Sequence, residues 1–220
     1  MISVIIPVYN EEKNIESFLD KLEVIEGERE FIFSVSGDDR SYEIIKARGY
    51  NALRSDKGRG RQVVAGIKKS CGDKILVLHS DTFFKENPLP EIERILKDNK
   101  LGCFTLAFTS SNPYMNIVAK NSTRRVKYRN IAFGDQGMFF TRDLYDELGG
   151  FREIDLMEDY DFSIRAKEKG YKIGLSEHKI YTSARRFEEN GITKTIIKMQ
   201  KCQKMFREGY PIDEIKRKYR

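Results

Sequence analysis

Short apolar runs alternate with helix-like segments over the first 80 residues, and this alternation restricts the fold more than any other feature. Residues 3–8 (SVIIPV) form a continuous β-branched run, which is typical of a strand buried on both faces. Further strand-like runs occupy residues 31–36, 50–55 and 74–78, and helix-like segments separate them. Strands that alternate with helices in this way are joined by parallel crossovers, so the sequence predicts a layered α/β fold.

Beyond residue 80 the pattern is less regular, although elements can still be assigned. Helices are predicted over residues 90–98, 115–128, 158–170 and 193–209, and strands over residues 102–108 and 171–176. No internal repeat, low-complexity stretch or clear linker divides the chain. We therefore expect one domain over residues 1–191, followed by a basic helical extension over residues 192–220.

The composition, with 40% hydrophobic and 34% charged residues, is that of a soluble globular protein. The net charge of +6 belongs to the extension, because residues 192–220 contain nine Lys and Arg against three acidic residues. Residues 1–191 are therefore neutral in sum. Since nucleic-acid binding requires a basic body, we expect no nucleic-acid partner.

The sequence shows no sign of export or of a membrane span. No apolar run approaches the roughly 20 residues that cross a bilayer, and the first residues lack the basic region and cleavage site of a signal peptide. The three cysteines have no metal-type spacing and cannot all pair, so a reduced, cytoplasmic setting is expected. These cysteines are Cys71, Cys103 and Cys202.

Four polar segments each follow a predicted strand of the first half: residues 7–11, 36–40, 56–62 and 79–82. In an open parallel sheet, ligands bind outside the carboxyl ends of the strands. Because these four segments are expected at one edge of the sheet, they predict a binding site there.

Asp81 follows the apolar run of residues 74–78, so its carboxylate is expected just beyond the end of a buried strand. Mg²⁺ and Mn²⁺ prefer carboxylate oxygens and complete their shells with water and substrate phosphate. His79 stands two residues earlier, which places both side chains on the same side of an extended chain. A capping aspartate beside a hydrogen-bonded core histidine is the alternative interpretation.

A glycine-rich turn with two arginines, DKGRGRQ at residues 56–62, precedes a predicted helix. Backbone amides at the helix start, together with Arg59 and Arg61, would suit a diphosphate. An ordinary basic turn would have the same composition, so the segment is ambiguous when taken alone.

Three acidic residues, Glu158, Asp159 and Asp161, open a predicted helix. The helix dipole keeps carboxylates ionised there, as a general base requires, but acidic first turns also simply stabilise helices. The apolar Leu156 and Met157 just before them indicate a packed turn, which favours the functional interpretation.

Two more polar segments have both a functional and a structural interpretation. GDQG at residues 134–137 sets a carboxylate and an amide between two glycines, which suits close approach to a ligand or a tight turn. TSARRF at residues 182–187 offers Arg185 and Arg186 to a phosphate or carboxylate, or to solvent.

In this order the segments resemble family 2 glycosyltransferases of the GT-A fold. The resemblance rests on SVIIPVYNEEKNI, GRGRQ, LHSDT, GDQGMFF, GGFREIDLMEDYDFSIR and TSARRFEENG, is closest to one bacterial and archaeal subfamily, and covers residues 1 to about 191. It implies a Rossmann-like, mixed and mainly parallel sheet flanked by helices. It also implies a divalent metal, Mn²⁺ or Mg²⁺, and inverting transfer of a sugar from a nucleotide-diphospho-sugar to an acceptor hydroxyl.

The resemblance further implies roles for individual residues. Asp81, with His79, would bind the metal, and Asp159, preceded by Glu158, would be the catalytic base. The donor would be bound by Pro7, Tyr9, Glu11, Asp38, Asp39, Arg59, Arg61 and Gln62. The acceptor, whose identity the sequence leaves open, would be bordered by Gly134, Asp135, Gln136, Arg185 and Arg186.

Two other functions are compatible with a sheet of this kind. A nucleotidyltransferase would normally carry a glycine-rich N-terminal loop ending in Lys or Arg, and PVYNEEKN offers none. A non-catalytic nucleotide-sugar-binding module is the other alternative, and the intact acids Asp81 and Asp159 argue against it.

The extension over residues 192–220 combines lysines with apolar residues at helical spacing. Such a helix can rest on an anionic membrane, at the inner face of the membrane for a cytoplasmic protein, or bind an acidic partner. It can equally pack on the domain and leave its lysines in solvent.

Overall fold

The computed structural model describes residues 1–219, so Arg220, the last residue of the basic extension, lies outside the described part. The strands are β1 (Ile2–Tyr9), β2 (Arg29–Ser36), β3 (Asn51–Arg54), β4 (Lys74–Val77), β5 (Thr82–Phe84), β6 (Leu101–Phe108), β7 (Phe139–Thr141) and β8 (Ile173–Thr182). They form one eight-stranded sheet in the order β3-β2-β1-β4-β7-β6-β8-β5.

Helices cover both faces of this sheet. They are α1 (Ile15–Lys21), α2 (Ser41–Ala47), α3 (Arg59–Lys69), α4 (Leu89–Leu96), α5 (Pro113–Arg129), α6 (Arg142–Glu147), α7 (Glu158–Glu168), α8 (Arg185–Asn190), α9 (Ile192–Arg207) and α10 (Ile212–Tyr219). Two short 3₁₀ helices occupy Leu22–Val24 and Gly134–Gln136.

The run SVIIPV forms the central part of β1, which pairs in parallel with both β2 and β4. Successive side chains of a strand point to opposite faces, and both faces of β1 are buried. Val4 and Ile6 pack in one core cluster, whereas Ile5 packs on the other side beside Ile32 and Val77. Burial on both faces explains why the run is continuously apolar rather than alternating.

The second half of the sheet is mixed. Strand β7 pairs antiparallel with β4 and β6, β5 pairs antiparallel with β8, and β6 pairs in parallel with β8. The sequence missed β5, and it ended β8 six residues early. Strand β5 has only three residues, too few to show an alternating pattern. The second part of β8 was missed because it begins with three polar residues, Glu177, His178 and Lys179, of which the first and last are exposed.

The segment GRGRQ lies on a helix, not in a turn before it as the sequence predicted. Helix α3 begins at Arg59, after Gly58, whose φ of 132° few other residues can adopt. Gly60 packs against the loop before α7, where an added Cβ would lie 2.5 Å from the carbonyl oxygen of Arg152. This close approach brings the first turn of α3 to the start of α7.

The two C-terminal helices pack on the domain. Cys202 of α9 and Ile215 of α10 are fully buried in a cluster with Leu156, Met157 and Tyr160. The lysines Lys194, Lys201 and Lys204 of α9 remain exposed. None of the helices in residues 1–219 combines the length and the apolar character that a membrane crossing needs.

Candidate functional site

A cavity of about 440 Å³ opens where β4 ends and is closed on its far side by the C-terminal helices. Its lining includes many of the residues that the sequence singled out. They are Arg59, His79, Asp81, Asp135, Asp159, Arg185 and Arg186.

The chain turns sharply after β4 and so presents Asp81 to this cavity. The backbone amide and hydroxyl of Thr82 both donate to the carbonyl oxygen of His79, at 3.0 and 2.8 Å. Asp81 is exposed at the tip of the turn. The surrounding protein, and then the nearby carboxylate of Glu11, raise the pKa of Asp81 above its usual value.

Gly134 is the point at which three of the predicted segments meet. Its backbone amide donates to Oδ2 of Asp159 at 2.6 Å. A Cβ added at Gly134 would lie 2.6 Å from Nε2 of His79 and 3.1 Å from the same Asp159 oxygen. Only glycine therefore lets the imidazole and the carboxylate approach this turn together.

His79 is a neutral imidazole at ordinary pH. Burial, and then the positive charge of Arg59, lower the pKa of His79 to about 3, although Asp159 opposes this shift. A neutral imidazole can serve as a metal ligand or as a hydrogen-bonding group.

The start of α7 places two adjacent carboxylates, those of Glu158 and Asp159, in different environments. Met157 adopts the left-handed conformation, with φ of 70°, immediately before the helix. Asp159 lines the cavity, and its Oδ1 accepts from the amide of Tyr160 at 2.7 Å. Glu158 lies behind it, 2% exposed, and pairs with Arg59. Burial raises the pKa of Glu158, against the opposing charge of Arg59.

Arg59 links α3 to both carboxylates, since its Nη2 also lies 3.5 Å from Oδ2 of Asp159. Burial disfavours the Arg59 charge, but Glu158 and Asp159 outweigh it and raise the pKa of the guanidinium. Arg59 is thus a fixed cation in the cavity wall. Arg61, in contrast, turns to Asp155 at 2.5 Å and does not line this cavity.

The GDQG turn places its two polar side chains differently. Asp135 lines the cavity, and its Oδ1 is buried with no hydrogen-bond partner in residues 1–219. Burial raises the pKa of Asp135 to about 6, with Arg125 opposing the shift. Gln136 points into the core, where its Oε1 accepts from Nη2 of Arg125 at 2.5 Å and its amide faces the carbonyl oxygen of Phe104 at 3.4 Å.

Most of the residues predicted to bind the donor lie at the ends of β1 and β2, outside the lining of the cavity. Pro7 is buried within β1, Tyr9 is 42% exposed and accepts from Lys57 at 2.5 Å, and Glu11 is half-buried. This edge is the one at which parallel α/β sheets bind ligands.

Two more of the predicted donor-binding residues, Asp39 and Gln62, are also engaged by protein partners. Asp39 accepts from the amide of Glu12 at 2.8 Å and from the amide and hydroxyl of Ser41, while Asp38 is exposed. Gln62 is 3% exposed, and its amide group donates to the carbonyl oxygens of Val8 and Ser34 at 2.6 and 3.0 Å. The Gln62 side chain therefore ties β1 to β2.

A divalent metal fits the oxygen atoms of the cavity. In residues 1–219, no group of three or more His, Cys, Asp and Glu side chains forms a complete metal cage. Asp81 and the unpartnered Oδ1 of Asp135 nevertheless line the same cavity. Mg²⁺ and Mn²⁺ are commonly bound by one or two carboxylates plus substrate phosphates, so two carboxylates in one cavity are compatible with such a site.

The sequence did not identify the far wall of the cavity. Met199, Gln203 and Tyr219 of the C-terminal helices line it, and Arg186 both donates to the Tyr219 hydroxyl and lies 4.4 Å from its ring centroid. The sequence also missed Arg125, whose guanidinium lies 3.9 Å from the Phe133 ring centroid. The four missed residues lie within helices and outside every motif that the sequence offered, so no local signal marked them.

Comparison with known proteins gives one family match and a set of structural neighbours. The model of the family described as glycosyl transferase family 2 matches residues 3–149. The undecaprenyl-phosphate 4-deoxy-4-formamido-L-arabinose transferase of Pseudomonas aeruginosa is 31% identical over 44% of the chain. The chain matches only about a third of that curated relative, 32% of its length.

Two solved structures share the fold over most of the chain. The mannosyltransferase PcManGT of Pyrobaculum calidifontis, in complex with GDP-Man and Mn²⁺, has a TM-score of 0.68 and 17% identity, covering 92% of this chain and 61% of that one. S. aureus TarS 1–349 in complex with UDP-GlcNAc has a TM-score of 0.65 and 17% identity, covering 83% and 58%. The predicted GT-A fold is confirmed.

Proposed function

The chain belongs to glycosyl transferase family 2, and from that premise we propose that it moves a sugar from a nucleotide-diphospho-sugar to an acceptor hydroxyl, with inversion at the anomeric carbon. One observation carries the proposal: a single cavity holds the oriented carboxylate of Asp159 together with the fixed cation Arg59 and the exposed carboxylate of Asp81. Membership of the narrower subfamily, indicated by the LHSDT, GDQG and LMED motifs, is part of the same proposal.

Asp159 is the proposed base. It takes the proton of the acceptor hydroxyl while the acceptor oxygen forms a bond to the anomeric carbon. The bond from that carbon to the diphosphate oxygen breaks, and its electron pair leaves with the nucleoside diphosphate. The amides of Gly134 and Tyr160 hold the Asp159 carboxylate in one orientation, so the reacting geometry is set before the acceptor binds.

Arg59 is proposed to stabilise the leaving group. Negative charge grows on the diphosphate as the bond breaks, and a preorganised cation in a cavity stabilises it more than water would. Asp81, with Asp135 or His79, would hold a divalent metal, which when bound would neutralise the diphosphate further. Glu158 positions Arg59 from behind and does not touch substrate in this proposal.

The donor is proposed to be a nucleotide-diphospho-sugar whose nucleoside lies along Tyr9, Glu11 and Asp38. The Tyr9 ring is 42% exposed, with Lys57 4.2 Å from its centroid, and the Asp38 carboxylate is exposed, so the two side chains would contact a base and a ribose. The complexes of PcManGT with GDP-Man and of TarS with UDP-GlcNAc support this donor class and leave the nucleobase open.

A cytoplasmic enzyme whose acceptor lies at the inner membrane face is the proposed setting. The exposed lysines of α9 and the exposed Ile197, at 61%, would lie toward anionic lipid. The Pseudomonas relative, an undecaprenyl-phosphate 4-deoxy-4-formamido-L-arabinose transferase, supports a membrane-associated acceptor.

Asp159→Asn tests the proposed function. The amide keeps the shape of the side chain but cannot take a proton, so turnover of GDP-mannose or UDP-N-acetylglucosamine with Mn²⁺ should fall about 10²- to 10⁴-fold while donor binding persists. Asp161→Asn is the matched control, since Asp161 pairs with Arg165 at 2.7 Å and does not line the cavity. Donor binding without any turnover in the wild type, unchanged in Asp159→Asn, would refute an enzyme.

A further inference from the structure

A second cavity, of about 290 Å³, lies beside the first and is formed by α8, the first turns of α9 and the end of α10. Three cations line it: Arg186, Lys194 and Lys198. No acidic side chain in residues 1–219 is part of this lining. The first turn of α9 also lacks acidic residues, so the positive end of its dipole is not compensated there.

A buried hydroxyl in this second cavity has no partner. Thr195 lines the cavity and is 4% exposed, and its Oγ1 makes no hydrogen bond within residues 1–219. Its backbone amide is already satisfied by the carbonyl oxygen of Gly191 at 3.0 Å. Buried polar atoms are almost always hydrogen-bonded, so an unpartnered hydroxyl on a residue that lines a cavity with three cations points to a missing anionic acceptor of hydrogen bonds.

The two cavities are adjacent, because Arg186, Met199 and Tyr219 line both of them. A molecule with an anionic group in the second cavity therefore lies next to the first cavity, across the contact between Arg186 and Tyr219. The volume of the second cavity also exceeds that of a single phosphate group, which leaves space for the part of the molecule to which the phosphate is attached.

We propose that the second cavity is a phosphate subsite for the acceptor, so that the acceptor substrate is a phosphorylated molecule. This inference rests on the proposed glycosyl transfer. A phosphate monoester carries a charge near −2 and several acceptor oxygens, which match the three cations and the Thr195 and Asn190 side chains. All residues of the subsite lie beyond residues 3–149, the part that matches the family model.

Titration of the full chain with inorganic phosphate, at constant ionic strength, tests the subsite without any donor. Lys194→Gln/Lys198→Gln should weaken binding about tenfold or more, because each lost cation removes a charge-assisted hydrogen bond. Lys201→Gln/Lys218→Gln removes the same charge from exposed positions outside the cavity and should change affinity by less than about twofold.

Thr195→Val distinguishes a specific hydrogen bond to phosphate from electrostatic attraction by the nearby cations. It keeps the shape and the net charge, so phosphate affinity should fall about threefold if the hydroxyl donates to the ligand. Equal losses in the two lysine variants, or unchanged affinity in a folded Thr195→Val protein, would overturn the subsite. Circular dichroism confirms folding in each case.

Two further experiments are needed. One distinguishes a lipid phosphate from a soluble one, and the other tests the proposed glycosyl transfer independently of the phosphate subsite. Phosphatidylcholine vesicles with phosphatidic acid should compete with inorganic phosphate if the acceptor is a lipid, and leave the titration unchanged if it is soluble. GDP-mannose with Mn²⁺ is titrated separately. A wild-type protein that binds phosphate but not the donor would contradict glycosyl transfer. A wild-type protein that binds the donor but not inorganic phosphate would contradict the subsite.

Discussion

The amide of Gly134 and Oδ2 of Asp159 are joined by a 2.6 Å hydrogen bond, which fixes the GDQG turn to the first turn of α7. His79 packs against the same contact from the β4 side, since its Nε2 would lie only 2.6 Å from a Cβ at residue 134. The orientation of the proposed base therefore depends on a residue that has no side chain.

Gly134→Ala should separate these groups. The added methyl would lie 2.6 Å from Nε2 of His79, so the turn, the imidazole or Asp159 must shift. We expect a loss of about 1–3 kcal/mol in unfolding free energy and of about 100-fold in sugar transfer. Gly149→Ala is the control: its φ of 73° strains alanine, but nothing lies within 4 Å, so activity should persist. Equal activity in both variants would contradict the coupling.

Asp81→Asn should remove the metal dependence of donor binding. A ligand that binds only the folded state raises the melting temperature, and Mn²⁺ should enlarge the rise given by GDP-mannose in the wild type. Because the amide is a weaker ligand for a hard cation, the enlargement should disappear in Asp81→Asn. Asp98→Asn, at an exposed position, should keep it. A wild type indifferent to Mn²⁺ and to EDTA would contradict a metal at Asp81.

Acid should loosen the contact between α10 and the domain through Asp155. The hydrogen bond from Lys216, opposed by burial and helped by Arg61, lowers the pKa of Asp155 below its unfolded value of about 3.9. A depressed folded pKa gives stability that is present above the unfolded pKa and lost as the pH falls through the folded pKa.

The Asp155 contribution should be on the order of 1 kcal/mol, since the side chain is partly exposed. Asp155→Asn should therefore lose stability relative to the wild type at pH 7 and approach it near pH 3. Urea unfolding at both values measures the difference. A gap that stays constant between pH 7 and pH 3 would rule out this ion pair as its source.

Ile215→Ala should undock the C-terminal helices. Ile215 is fully buried against α9 and the start of α7, so its truncation should cost about 2–5 kcal/mol. Ile197→Ala, at a 61% exposed position of α9, should cost less than about 0.5 kcal/mol. Hydrogen exchange would report the loss as faster exchange of α9 and α10 amides. Protection unchanged in Ile215→Ala would show that the helices are held by other contacts.

The sequence predicted the parallel half of the sheet because a strand buried on both faces is a continuous apolar run, as at Val4, Ile5 and Ile6. It misplaced GRGRQ because the helix start depends on Gly60 packing against the carbonyl oxygens of Arg152 and Ile154, which lie more than 90 residues away. Local propensity has no access to such a contact.

The lining of the cavity was predictable where a carboxylate follows a strand or begins a helix, and polar side chains that serve the fold could not be told apart from it. Asp81, Asp159 and Asp135 lie in one cavity, and their roles stay predictions. Gln62 and Gln136 look equally functional in the sequence, yet their amides satisfy distant backbone and side-chain groups. A glutamine that binds a ligand and one that binds the protein differ only in their tertiary partners, so composition and spacing cannot distinguish them.

Met157 precedes α7 in a left-handed conformation, φ 70°, that is costly for a residue with a side chain. Its side chain is buried in the cluster that Cys202 and Ile215 complete, so α9 and α10 supply the packing that holds this backbone in place. The orientation of the proposed base therefore depends on α9 and α10 as well as on α7, because these helices pack against the turn that places Asp159 in the cavity.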